Sequence, residues 1–169
     1  MSTPARPAAD ASPADLVHLR DAIALSQAAL AHGNMPYGAV LVAADGTVLA
    51  RTENTIVVDR DPTAHAETNA IRAAARAVPV QRLAGATMYA SGEPCPMCSG
   101  AIMRMGMKRV LFGIRASEAM PYMPSTAGAM PGSVSCRDLL ALAPQGVEVL
   151  GPLLEDEARA PFEVMKARA

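Results

Sequence analysis

The chain has 169 residues, 51% of them apolar, and 15 Lys and Arg balance 16 Asp and Glu to a net charge of −1. That length and apolar content predict one domain with a sizeable core and exclude a disordered chain. No run reaches the about 18 apolar residues of a membrane span. The start, Met1-Ser2-Thr3-Pro4, lacks the apolar segment of a secretory signal. The balanced charge offers no global attraction for a nucleic-acid backbone, and three cysteines in all point to a reducing, cytoplasmic setting rather than a disulfide scaffold.

Residues 1–11, rich in Pro and Ala, read as a mobile tail ahead of a domain spanning 12–169. Ser12-Pro13-Ala14-Asp15 opens a helix: a serine cap, proline in the first turn and an acid facing the dipole. Leu16, Leu19, Ile23 and Leu30 recur at helical spacing, and Gly33-Asn34 ends the run. Two short apolar runs, 37–42 and 47–50, flank Asp45-Gly46 and read as a hairpin. Asp61-Pro62-Thr63 turns into an alanine-rich helix over about 64–77, stopped by Pro79. A third strand is expected at 86–90, a helix at 95–107, and a fourth strand at 110–114. Lys108 and Arg109 then fall at a helix end, where cations suit the dipole. Residues 115–137 carry prolines 121, 124 and 131 and form a long connection. A short helix at 138–143, a strand at 147–150 and a closing helix at 154–166 complete the chain. The order predicts an α/β fold, a mixed sheet covered on both faces.

Two local patterns carry chemistry. Pro94-Cys95-Pro96-Met97-Cys98 places two cysteines on one face of a helix start. His65-Ala66-Glu67 offers an imidazole with a carboxylate two residues on. His65, Cys95 and Cys98 make three ligands for one zinc ion and leave the fourth tetrahedral position open, as catalytic sites do. Glu67 is not a ligand in this scheme; it moves protons for a water acidified by the metal. Each half alone has a blander reading: His-x-Glu arises by chance, and Cys-x-x-Cys serves redox pairs and structural zinc knuckles. A structural site needs a fourth ligand, and neither His18 nor His32 has suitable spacing. Together the halves match the H-x-E…P-C-x-x-C signature of zinc deaminases.

The sequence resembles the cytidine deaminase-like superfamily, in the branch of bacterial guanine deaminases and tRNA adenosine deaminases. The matching residues run from Pro36-Tyr37-Gly38-Ala39-Val40 through Asn54 and Asp61-Pro62-Thr63-Ala64-His65-Ala66-Glu67 to Glu93-Pro94-Cys95-Pro96-Met97-Cys98 and Gly100-Ala101-Ile102. The resemblance implies a three-layer α/β/α fold around a five-stranded mixed sheet, a homodimer, and hydrolytic release of ammonia from a small aminated heterocycle. It implies that Asn54 hydrogen-bonds the ring and that backbone around Ala66 and Ser91 shapes the pocket.

The Pro-Cys-Pro-Met-Cys form resembles the guanine deaminase side, so a free purine such as guanine is the first expectation. Without a basic tail, tRNA adenosine is the alternative, and a non-catalytic zinc-bound scaffold is the alternative of another class. No acidic run matches the groups with which guanine deaminases bind their base; Glu118 and Glu163 are candidates by type only. Tyr122, with Met120 and Met123, reads as an apolar surface that lines the pocket and stacks on the ring. Cys136 reads as a small buried hydrophobe.

Overall fold

A computed structural model describes residues 11–123 and 134–168. Most of the expected tail, and the centre of the connection after the fourth strand, lie outside the described residues; Ala11 packs against the core.

Helix α1 (Pro13–Ala31) starts with a full capping box between Ser12 and Asp15. Strands β1 (Gly38–Val42) and β2 (Val48–Glu53) pair antiparallel. Gly46, at φ 86°, supplies the left-handed residue of their turn. A short helix α2 (Ile56–Asp59), not expected, leads to α3 (Ala66–Ala77), which Val78-Pro79 ends. A 3₁₀ turn at Val80–Leu83 precedes β3 (Thr87–Gly92). Helix α4 (Pro96–Arg104) is shorter than the expected 95–107, because Gly106 takes φ 71° and turns the chain into β4 (Arg109–Ile114).

Arg109 is therefore a strand residue, not a helix-end cation. The connection that follows is not a bare loop at its start: α5 (Ala116–Ala119) and a 3₁₀ turn at Met120–Tyr122 occupy it. Helix α6 (Cys136–Leu140), β5 (Glu148–Leu150) and α7 (Glu155–Arg168) close the chain.

The sheet has five strands in the order β2-β1-β3-β4-β5. β1 lies antiparallel to β2 and β3, while β3, β4 and β5 are parallel. Alternate residues face alternate layers. Ala39, Leu41, Met88, Ala90, Val110 and Phe112 pack under α3, α4 and α6. Val40, Val42, Tyr89 and Leu111 pack against α1 and α7. The fold is thus the expected α/β/α sandwich. Ala66, Ala70 and Ala74 form a fully buried small-residue face that lets α3 approach the sheet closely.

Candidate active site

Two helix starts converge where the parallel strands end. The turn before α3 is built by Asp61, whose Oδ1 accepts from the Thr63 backbone N–H at 2.7 Å and the Thr63 hydroxyl at 2.7 Å. It delivers His65 as the cap residue of α3, with extended backbone and a side chain not spent on capping. Cys95 caps α4 in the same way, with Pro96 as the first helical residue and Cys98 in the first turn. Both caps leave their side chains free for other work.

A His65 ring nitrogen, Cys95 Sγ and Cys98 Sγ all lie within 4.8 Å of one another. Cys95 Sγ is 3.5 Å from His65 Nδ1. Bonds of about 2.3 Å to sulfur and about 2.0 Å to nitrogen span about 3.5 Å across a tetrahedral ion. The donor set therefore fits zinc, and among the described residues it is the one such cluster. His32 instead pairs with Glu53 at 2.7 Å, and the His18 ring lies on Tyr89 at 5.1 Å.

The charges follow from this packing. A hydrogen bond from Cys98, aided by His65, outweighs burial and brings the Cys95 thiol down to about 4. The same bond, with burial, drives Cys98 upward. Zinc binds cysteines as thiolates, so a bound ion would replace the protons of both. The bond to Cys95 raises His65.

Glu67, in the first turn of α3, is 4% exposed. Its Oε2 accepts from the Cys98 thiol at 3.4 Å, and burial pushes its carboxyl up. It stands beside the ligand set without being part of it.

Asn54 is 1% exposed. Its Oδ1 accepts from the Ile56 N–H at 3.2 Å and its own N–H donates to the Tyr37 carbonyl at 2.9 Å. Among the described residues its Nδ2 donates to none. Ala66 is fully buried, and its carbonyl accepts from the Thr52 hydroxyl at 2.8 Å. Ser91 is spent on the sheet, its Oγ accepting from the Gly38 N–H at 2.9 Å.

Tyr122 ends the 3₁₀ turn after α5. Its ring packs on Phe162 of α7 at 6.2 Å, under Lys166 Nζ at 5.4 Å. Two nearby residues were quoted in the sequence reading without being given a role. Tyr37 packs edge-on against Phe162 at 5.2 Å and donates its hydroxyl to Met123 Sδ at 3.7 Å. A Cβ on Gly92 would lie 2.7 Å from the Tyr37 ring, so only glycine fits there. The Tyr37 phenol is pushed up by burial and by the Glu67 and Cys95 charges, which keeps it a donor. The other is Glu93, between β3 and Cys95.

Residues 13–114 match the cytidine and deoxycytidylate deaminase zinc-binding region. The chain belongs to this deaminase family. A probable cytosine deaminase of Schizosaccharomyces pombe is 37% identical over 88% of this chain and 90% of its own length. A tRNA-specific adenosine deaminase of Haemophilus influenzae is 42% identical over 56% of this chain and 55% of its own. A guanine deaminase of Bacillus subtilis is 42% identical over 50% and 53%. The chain thus spans about half the length of the last two. Among solved structures, guanine deaminase from Nitrosomonas europaea superposes with a TM-score of 0.76 at 23% identity, over 96% of this chain and 89% of that one. A structure from work on A-to-I editing by tRNA:A34 deaminases has a TM-score of 0.69 at 30% identity, over 86% and 99%. The protein is a zinc-binding deaminase with the cytidine deaminase-like fold. No described helix is long and apolar enough to cross a membrane.

Proposed function

We propose that the chain deaminates a free amino-bearing nucleobase by hydrolysis, with Glu67 as the proton carrier. The observation that carries this reading is the Glu67 carboxylate, buried beside the ligand set at 3.4 Å from Cys98 Sγ. A structural zinc site needs no such group, which argues against a mere scaffold. Zinc, held by His65, Cys95 and Cys98, supplies the Lewis acidity that makes water a nucleophile near neutral pH. Glu67 accepts a proton from the attacking water and passes it to a ring nitrogen. The water oxygen bonds to the amino-bearing carbon. Glu67 then carries the second water proton to the exocyclic nitrogen, the carbon–nitrogen bond breaks, and ammonia leaves a ring carbonyl. Asn54, with its oxygen held by Ile56, directs its amide N–H groups at a ring acceptor. The buried backbone at Ala66 and Ser91 forms the floor.

A purine such as guanine is the proposed ring, supported by the Pro-Cys-Pro-Met-Cys form. Cytosine is the second reading, favoured by the Schizosaccharomyces pombe relative, which covers most of this chain. A free base rather than tRNA fits the net charge of −1 and the acidic first turn of α7, Glu155-Asp156-Glu157. Association as a homodimer in the cytoplasm goes with this reading.

The experiment is ammonia release from guanine, cytosine, adenine and their nucleosides, with tRNA as a separate arm. Turnover of a free base at one zinc per chain is the expected result. Submicromolar tRNA affinity that falls steeply with salt, without base turnover, would replace the free-base reading. Light scattering gives the oligomeric state.

A further inference from the structure

Glu93 takes no part in the chemistry above. Its backbone N–H donates to the Ile114 carbonyl at 2.8 Å, which continues the pairing of β3 with β4. Its carboxylate faces two other partners. Oε2 accepts from the Ala116 N–H at 3.1 Å, and Oε1 accepts from the Cys136 N–H at 3.0 Å. Ala116 is the first residue of α5 and Cys136 the first of α6. One carboxylate thus fastens both ends of the connection between β4 and α6 to the turn that carries Cys95.

Each end leads to a fixed point. From Ala116 the chain reaches Met123, which accepts the Tyr37 hydroxyl at 3.7 Å, and the Tyr37 carbonyl holds the Asn54 N–H at 2.9 Å. On the way, Glu118 Oε2 accepts from Arg159 at 3.3 Å. From Cys136 the next residue, Arg137, donates to the Val149 carbonyl at 2.6 Å and the Gly151 carbonyl at 3.2 Å. A continuous series of contacts runs from the zinc-bearing turn through Glu93, α5 and Tyr37 to Asn54.

We propose that Glu93 is a positioning residue that sets Tyr37 and Asn54 against the zinc ligands by clasping both ends of the β4–α6 connection. The clasp needs a carboxylate. Two backbone N–H groups call for two acceptor oxygens, and glutamine offers one. The effect on substrate rests on the reading of Asn54 as the ring donor; the clasp itself does not.

The test is the pair Glu93→Ala and Glu93→Gln in the full chain loaded with zinc. Amide hydrogen exchange, metal content and steady-state kinetics with a turned-over base are read on the same samples. In Glu93→Ala, exchange should speed by about tenfold or more in both 116–119 and 136–140, the factor that about 1.4 kcal/mol represents. KM for the base should rise about tenfold, with kcat within about threefold and zinc still at one per chain. Glu93→Gln keeps one acceptor, so exchange should speed at one end only, with a smaller rise in KM. A Glu93→Ala protein with wild-type exchange at both ends overturns the clasp. Faster exchange at both ends with an unchanged KM overturns the positioning role. If Glu93→Ala does not fold, Glu93→Gln decides: wild-type exchange at both ends, or an unchanged KM, overturns the proposal. If the wild type turns over no base, the proposed function fails, and exchange at the two ends still decides the clasp.

Discussion

The molecule has two polar clusters at opposite ends of its parallel strands, and they are built on opposite terms. The zinc site follows the carboxyl end of β3. The other cluster gathers at the amino end of β4, where Arg109 donates to Asp15 at 2.9 and 3.2 Å and to Glu148 at 2.7 Å. The Tyr89 hydroxyl adds a bond to Asp15 at 2.6 Å, and Ser12 adds two at 2.9 Å. Burial alone would push the Asp15 carboxyl up. The Arg109, Tyr89 and Ser12 bonds outweigh it and hold the group well below the usual carboxylate range. Every charge in this cluster has an opposite partner, so it resists change. In the zinc site the buried Glu67 carboxylate meets the Cys98 thiol, and burial pushes it up rather than down. A buried carboxylate pushed up is suited to carrying protons, whereas a fully paired one is suited to holding the fold.

The largest separation between the two is expected from Glu67→Ala. Turnover should fall by about 10²- to 10⁴-fold, measured as ammonia release at saturating base, while zinc stays at one per chain. Thermal stability should hold or rise, since an imperfectly paired buried carboxylate is removed. Turnover within tenfold of wild type would remove Glu67 from the chemistry.

Asp15→Ala should do the reverse. Breaking a buried ion pair by deleting one partner costs about 3 kcal/mol, or about 6–12 °C in Tm for a chain of this size. Base turnover at 25 °C should stay within about twofold, which a calorimetric scan and an ammonia assay check together. The same carboxyl predicts a pH response. Its folded pKa lies below the unfolded value of about 3.9, so its stabilisation is complete above that value and is lost as pH falls toward the folded pKa. Asp15→Asn should flatten the loss of stability below about pH 4 in denaturant titrations; an unchanged slope would assign it to other carboxylates.

The smallest effect is expected from Asn54→Ala. Loss of one donor to the ring should lower kcat/KM by about 1–3 kcal/mol, with zinc content unchanged. If kcat/KM does not move, Asn54 is the turn residue that its bond to Ile56 also makes it.

Much of the fold was legible because its signals are local. Ser12-Pro13-Ala14-Asp15, Asp45-Gly46 and Val78-Pro79 each mark an element boundary through their own backbone preferences. The zinc ligands were legible for the same reason: Cys95 and Cys98 share one helical turn, and His65 and Glu67 share another. The misreadings came from partners far along the chain. Arg109 was read as a helix-end cation, yet its main partner Asp15 lies 94 positions away. The contacts of Tyr122 with Phe162 and Lys166 on the closing helix were equally out of reach of local reading. Helix α4 was expected through 107, but Gly106, at φ 71°, turns the chain and the helix ends at Arg104.

The sequence by itself determined the kinds of group available, their order, and the helix starts that present them, because caps, turns and ligand spacing act within a few residues. Only the tertiary structure decided which groups meet. The packing of α1 on the sheet brings Asp15 to Arg109. The end of β3 turns the Glu93 carboxylate toward Ala116 and Cys136. Such pairings depend on how five strands close into one sheet, and no local preference of the chain encodes that.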